Sequence, residues 1–174
     1  MKPIFLIGFM GSGKTTLGKK LAKKLNLPFV DLDHVFVDTY QQDIPSFFQL
    51  YGENQFRIAE REILKKHAQV EAVISTGGGT PCYFDNMDWI LENGLAIYLY
   101  HTPASLYARL KTSKIDQRPA LKNLSEEQLR VFIVEKLSER AIYYERAQLK
   151  IDQLHSTVDE LVEILKPYQI EKPA

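Results

Sequence analysis

The sequence predicts an α/β domain built around a parallel β-sheet. Short, nearly continuous apolar runs alternate with longer segments in which apolar residues recur at helical spacing, and the connections between them are short. Strands that helices cover on both faces have this continuous apolar character, whereas strands with one wet face alternate. The 174 residues are enough for one domain of this class, so we predict a single domain at 1–174.

The elements are predicted in order along the chain. Five apolar runs of strand length are expected to form the sheet, at residues 3–8, 28–33, 71–76, 95–100 and 149–152. The stripe of Leu17, Leu21 and Leu25, opposite several lysines, predicts a helix after the first strand. A similar stripe in ENQFRIAEREILKKH predicts another, and Thr102, followed by proline, suits the start of a third. Ser125 opens a long helix through a capping box, and a final helix is expected near the C-terminus.

Composition and charge narrow the functional classes. The 22 basic and 22 acidic residues cancel, which argues against a large surface for nucleic acid or acidic membranes. The single cysteine, Cys82, permits no internal disulfide, and no stretch approaches the roughly 18 apolar residues of a membrane helix. Gly8 and Gly11 interrupt the apolar start of the chain, so we do not interpret it as a signal peptide. We expect a cytoplasmic protein that binds neither nucleic acid nor membrane.

The segment GFMGSGKT, residues 8–15, fits the phosphate-loop pattern G-x-x-x-x-G-K-[ST]. A predicted strand precedes it and a predicted helix follows, which is the context that the motif requires. Its glycines let backbone N–H groups turn toward phosphate oxygens. Lys14 would reach the terminal phosphates, and the Thr15 hydroxyl would bind Mg²⁺. The motif predicts a nucleoside triphosphate but no particular reaction.

Two carboxylates follow the second predicted strand, in DLD. Asp31 and Asp33 would point the same way if both lay on the strand, at the edge where α/β sheets bind ligands. One could then hold the water shell of a metal while the other accepts a proton from an acceptor hydroxyl. The alternative is that one of them only caps the next helix.

Arginines recur around these motifs. Arg57 and Arg61 share a helix face with Glu60, which could be an ordinary surface ladder of charges. The polar segment 111–123 has no periodicity and is predicted to be a mobile lid. Pro119 favours an extended backbone at Arg118, within this lid, so its side chain could cross a bound phosphate.

The third predicted strand ends in three glycines, in STGGGT, where a metal-binding aspartate would be usual. Either a group must approach the bare chain closely, or the glycines form a plain turn into a helix.

Together these features resemble the shikimate kinase family. The segments LIGFMGSGKTTLGKKLA, DLD, GENQFRIAERE, STGGGT, RPAL and ERAIYYERA follow the family's order and spacing from residue 4 to about 152. The resemblance implies a three-layer P-loop kinase fold with a five-stranded parallel sheet, helices on both faces, a substrate-binding segment at about 33–61 and a lid at about 111–123. It also implies ATP-dependent phosphorylation of shikimate at its 3-hydroxyl, which gives shikimate 3-phosphate and ADP on the route to chorismate and the aromatic amino acids.

The resemblance also implies roles for individual residues, in an enzyme that uses ATP as co-substrate, needs Mg²⁺ and acts as a monomer. The catalytic residues would be Lys14, Asp33 and Arg118. Nucleotide would be bound by Gly11, Ser12, Gly13, Lys14, Thr15, Thr16, Arg109, Arg118 and Gln153. Shikimate would be bound by Asp33, Arg57, Gly77, Gly78, Gly79 and Arg140. The metal would be held by Thr15 and, through a water, Asp31.

Two departures from the family and two alternatives accompany this hypothesis. Eight residues separate Arg109 from Arg118, a longer lid than the family's, and IDQLHST lacks the basic residue often found near adenine, so Arg109 and residues 153–155 are expected to enclose the base. Another small-molecule kinase of the same fold, such as gluconate kinase, would share the phosphate loop and an acid after the second strand. A non-catalytic nucleotide-binding module would share the fold alone.

Overall fold

The computed structural model describes residues 2–67, 70–112, 121, 124–152 and 156–169. Its five parallel strands are β1 (Ile4–Ile7), β2 (Phe29–Asp31), β3 (Val73–Ser75), β4 (Leu95–Tyr100) and β5 (Leu149–Asp152). They lie in the order β2-β3-β1-β4-β5, so the first strand is central. The prediction of a five-stranded parallel sheet is confirmed.

Seven α-helices accompany the strands in the described part of the chain. They are α1 (Lys14–Leu25), α2 (Leu32–Tyr40), α3 (Ile44–His67), α4 (Asn86–Asn93), α5 (Pro103–Lys111), α6 (Glu126–Tyr144) and α7 (Val158–Leu165). The predicted caps are present, since the Thr102 side chain accepts from the Ser105 N–H and Ser125 forms its capping box with Gln128. None of the described helices combines the length and the apolar character that crossing a membrane requires.

Alternate residues of β1 face two different layers of helices. Phe5 and Ile7 pack into a cluster with α2, α3 and α4, whereas Ile4 and Leu6 pack into a cluster with α1 and α7. Both clusters are almost completely buried, which explains why the strands read as continuous apolar runs. The predicted helix–sheet–helix layering is therefore confirmed.

The end of the second strand differs from the prediction. We expected a strand over residues 28–33, but β2 ends at Asp31 and Leu32 already belongs to α2. The cause is local, because the Asp31 side chain accepts a hydrogen bond from the Asp33 N–H and so caps the helix. Asp33 consequently lies in the first helical turn instead of on the strand.

The register brings three loops to one edge of the sheet. Asp31 lies opposite Ser75, and Leu6 also pairs with Ser75, so β1, β2 and β3 end side by side. The phosphate loop, the two aspartates and the glycine run leave the sheet at this edge. Parallel strands place their carboxyl ends together in this way, and ligands of open α/β sheets bind there.

Candidate active site

The phosphate loop has the backbone conformation of an anion-binding turn. Gly11 and Gly13 have φ angles of 77° and 90°, in the left-handed region that favours glycine. Gly13 is the N-cap of α1, and no side chain in the described part of the chain caps this helix, so its first N–H groups remain available to a ligand. The Lys14 ammonium lies inside the loop, where it donates to the carbonyl oxygens of Gly8 (2.9 Å) and Phe9 (3.0 Å).

A cavity of about 410 Å³ opens beside this helix N-terminus. Arg109 lines it and donates through Nε to the Gly11 carbonyl at 2.7 Å, so the predicted nucleotide-binding arginine does meet the phosphate loop. The other lining residues are Gly13, Thr16, Leu17, Lys20, Ser156, Thr157 and Val158. Gln153 and Arg118 lie outside the described residues, as does most of the predicted lid at 111–123.

Thr15 and Asp31 form a pair at the start of the cleft. The Thr15 hydroxyl donates to Asp31 Oδ2 at 2.7 Å, while Asp31 Oδ1 accepts from the Asp33 N–H at 3.2 Å. Asp31 therefore caps α2 and also contacts the phosphate loop. The expectation that Asp31 and Asp33 share one face of a strand is wrong, because Asp31 caps α2, but its bond to Thr15 shows that capping is not its only contact.

Asp33 lies at the floor of the cleft, open to solvent but with protein on most sides. The resulting desolvation raises the pKa of its carboxyl from the ordinary 3.8 to about 6, and the nearby carboxylates of Glu60 and Asp31 act in the same direction. Gly77 lies close by, since a Cβ on it would come within 2.9 Å of Asp33 Oδ1. The chain thus holds a carboxylate of unusually high basicity beside the glycine run.

Arg57 is buried, in contrast to a surface charge ladder. Its Nη1 donates to Glu60 Oε2 at 2.8 Å, and Nε and Nη2 donate to Glu53 Oε1 at 3.3 and 3.2 Å. Burial opposes the charge, but the interactions with Glu60, Tyr83 and Glu53 together outweigh it, so the pKa of Arg57 lies above its ordinary value. The guanidinium also stacks on the ring of Tyr83, 4.0 Å from the ring centre. Arg61 turns away from this group and pairs with Asp85 at 2.7 Å.

Side chains pack directly against the backbone of the three glycines, close to where a Cβ would lie. A Cβ on Gly79 would lie 2.8 Å from Arg57 Nη1 and 2.9 Å from Nη2, although the φ of Gly79 is an ordinary −89°. A Cβ on Gly78 would lie 3.5 Å from Arg140 Nη1. A Cβ on Gly77 or Gly79 would crowd neighbouring side chains, although neither residue has a positive φ, and the run leads directly into a short 3₁₀ helix at Thr80–Cys82, as the turn alternative expected.

Arg140 approaches the same backbone from α6. Its guanidinium lies 5.5 Å from the Phe9 ring centre, and Nη1 is buried without a hydrogen-bond partner among the described residues. Arg57 and Arg140 thus converge on the glycine run, with Asp33 on another side. Arg57 is already paired with Glu53 and Glu60, so the buried N–H of Arg140 is the donor that suits a small anionic acceptor beside the phosphate loop.

Some residues of this site were missed from the sequence. Glu53 lies four residues before Arg57, a spacing that could have indicated the pair. Tyr83 and Thr80 carry no such signal, because they reach Glu53 and Glu60 from a distant turn, with bonds of 2.7 and 2.6 Å. Only the folded chain brings them together.

A phosphate loop that joins the central strand to a helix, with acids after the edge strand β2, is the arrangement of a P-loop kinase. The protein family model described as shikimate kinase matches residues 10–167. The chain belongs to the shikimate kinase family.

Individual relatives agree with this assignment. A shikimate kinase from Phocaeicola vulgatus is 45% identical over 157 residues, which cover 88% of this chain and 89% of the relative. The crystal structure of shikimate kinase from Bacteroides thetaiotaomicron matches with a TM-score of 0.87 at 39% identity, over 97% of this chain and 98% of that one. Shikimate kinase from Acinetobacter baumannii in complex with shikimate matches with a TM-score of 0.84 at 30% identity, over 97% and 93%. The predicted family, fold and kinase class are confirmed.

Proposed function

We infer that this enzyme transfers the γ-phosphoryl group of ATP to the 3-hydroxyl of shikimate, giving shikimate 3-phosphate and ADP on the route to chorismate. The observation that carries this inference is the convergence of Arg57 and Arg140 on the glycine run. A carboxylate is the natural partner of two guanidinium groups, and each such bond contributes about 1.5–3 kcal/mol. Arg140 Nη1, which has no hydrogen-bond partner among the described residues, can donate to such a carboxylate. The pair favours a carboxylate-bearing polyol over a neutral sugar.

Asp33 would act on the acceptor hydroxyl. A carboxyl whose pKa lies near 6 is ionised at neutral pH, yet it is a stronger base than an ordinary aspartate. We propose that it hydrogen-bonds the hydroxyls of shikimate and assists deprotonation as the phosphoryl group is transferred. Gly77, Gly78 and Gly79 would border the substrate, with the N–H groups of the chain as donors.

ATP would be bound by the phosphate loop and the adjoining cavity. Residues 11–16 supply backbone N–H groups and the Lys14 ammonium, whose present carbonyl partners show that it can reach into the loop. Arg109 borders the cavity where the base would lie. We propose that Arg118, from the lid, neutralises charge on the transferred group and that Gln153 lies near adenine.

The chain has oxygen ligands suited to Mg²⁺. The Thr15 hydroxyl and the Asp31 carboxylate are joined by a 2.7 Å bond, and both are hard donors of the kind that this ion prefers. We propose that Thr15 binds the metal directly and Asp31 through a water. When bound, Mg²⁺ would neutralise charge on the phosphates.

The proposal also covers domain organisation, location and oligomeric state. The chain would form one domain at 1–174, with the substrate-binding segment at 33–61, which contains Asp33 and Arg57. We propose that it acts as a cytoplasmic monomer, without a nucleic-acid or membrane partner.

A coupled assay of ADP release tests the function. With Mg²⁺ and ATP, we expect turnover with shikimate and only background rates with gluconate or without an acceptor. Turnover of gluconate and silence on shikimate would favour the alternative kinase. Nucleotide binding without acceptor-dependent ADP release would favour a non-catalytic module. Lys14→Met supplies the matched inactive control, because it removes only the ammonium.

A further inference from the structure

Side chains donate hydrogen bonds to several carbonyl oxygens of the phosphate loop. Lys14 holds those of Gly8 and Phe9, and Arg109 holds that of Gly11. The next carbonyl, that of Ser12, lies 3.0 Å from Nε2 of His101. This histidine follows β4 and is only 2% exposed.

The partners of His101 determine its tautomer. A carbonyl oxygen only accepts, so Nε2 must carry the proton that reaches Ser12. Nδ1 lies 3.0 Å from the hydroxyl of Ser105 in the first turn of α5, the helix that also carries Arg109. The imidazole therefore joins the phosphate loop to the start of α5, while Arg109 joins it to the end of the same helix.

We propose that His101 is a positioning residue that keeps the phosphate loop in its anion-binding conformation, an inference that rests on the proposed nucleotide site. The Ser12–Gly13 peptide is trans and planar, so its C=O and N–H point in opposite directions. Holding the Ser12 carbonyl toward His101 directs the Gly13 N–H to the other side of the loop. Gly13 is the N-cap of α1, where N–H groups face a bound phosphate.

The hydrogen bond from His101 to the Ser12 carbonyl, which we call the tether, matters because the carbonyl is buried. Ser12 is 0% exposed, and a buried carbonyl that loses its donor favours any rotation of the peptide that restores one. Rotating the Ser12–Gly13 peptide would also turn the Gly13 N–H away from the phosphate position. His101 thus contributes to nucleotide affinity without touching the nucleotide.

Three variants of His101 test the proposal. His101→Gln places an amide N–H near the position of Nε2, whereas His101→Asn is one carbon shorter and reaches only toward Ser105. His101→Leu fills the space without any donor. We expect the Kd of ADP, measured by calorimetry, to rise about 10-fold in the Asn and Leu variants, as loss of one buried hydrogen bond implies. The Gln variant should recover most of the affinity.

The kinetic constants provide a second readout. The KM for ATP should follow the Kd of ADP, while the KM for shikimate stays within about twofold, because the acceptor cleft lies on other elements. His67→Gln, at the end of α3, is the matched control and should behave as the unaltered enzyme. The proposal would be overturned if all three His101 variants bound ADP as tightly as the unaltered enzyme. It would also be overturned if the Gln and Leu variants lost affinity to the same extent.

A spectroscopic measurement on the unaltered enzyme keeps the proposal testable if a variant fails to fold. Long-range ¹H–¹⁵N spectra of histidine-labelled protein should show His101 with its proton on Nε2 and a shift of that signal on addition of ADP. A proton on Nδ1 alone would refute the tether. Failure of the unaltered enzyme to bind ADP would instead refute the nucleotide site itself, which distinguishes the two inferences.

Discussion

Replacing Gly79 with alanine tests whether the glycine run exists to admit Arg57. A Cβ at this position would lie 2.8 Å from Nη1, 2.9 Å from Nη2 and 3.0 Å from Cζ of Arg57. The backbone has φ −89° and ψ −18°, which alanine adopts without strain. Any effect of Gly79→Ala therefore comes from the added methyl group.

The geometry gives the expected size of the effect. The guanidinium must retreat by about 0.5 Å to reach ordinary contact, and it is confined by Tyr83 on one face and by Glu60 at its end. Such a retreat lengthens the 2.8 Å bond to Glu60 beyond the usual range for a hydrogen bond. A guanidinium displaced in this way would also lose its reach to a substrate carboxylate, and loss of one such charge-assisted bond corresponds to about 1.5–3 kcal/mol, so we expect the KM for shikimate to rise about 10- to 100-fold.

Two measurements isolate the cause. Urea denaturation without substrate should show a loss of about 1–2 kcal/mol in the free energy of unfolding, since the Arg57 contacts form in the protein alone. A double-mutant cycle with Arg57→Ala should show that Gly79→Ala adds little to the KM once the guanidinium is gone. The reasoning is refuted if the single variant keeps its stability and its KM, or if the two effects add fully.

Three further predictions concern the same cleft. Asp33→Asn should lower kcat by about 100-fold or more with little change in the Kd of ADP. It should also raise the free energy of unfolding in urea, because it removes a carboxylate crowded by Glu60; near-normal turnover would contradict its role. Arg140→Ala should raise the KM for shikimate about 10- to 100-fold and leave the Kd of ADP unchanged, and an unaltered KM would move the carboxylate site elsewhere. Burial raises the pKa of the Cys82 thiol from 9.0 to about 11. At pH 8 a disulfide reagent should thus modify the folded protein about 100-fold more slowly than the urea-unfolded chain. The rate for the folded protein should rise with pH up to about 11. Equal rates for the two forms would show an exposed, ordinary thiol.

Much of the fold could be predicted from the sequence because its signals are local. Apolar runs placed all five strands, and caps such as Thr102 and Ser125 placed helix starts, since both patterns act within a few residues. The phosphate loop is likewise a continuous motif whose glycine conformations follow from its own residues. The exceptions are the end of β2, where the cap formed by Asp31 outweighed the apolar run, and the helices α2 and α4, which were not predicted.

The arrangement of the site could be predicted only in part. Through the family resemblance, the sequence indicated that Arg57, Arg140 and the glycine run share one site. It did not indicate that the guanidinium groups pack directly against the glycines. Nor did it indicate that Asp31 would join Thr15 to the cap of α2.

The sequence by itself determined the strands, most helices and the chemistry of the phosphate loop. Tertiary structure alone decided that Tyr83 stacks on Arg57 and that His101 bonds to Ser12. The physical reason is distance along the chain: Thr80 meets Glu60 across 20 residues, and His101 meets Ser12 across 89. Such contacts depend on the packing of whole helices against the sheet, which no local pattern of residues encodes.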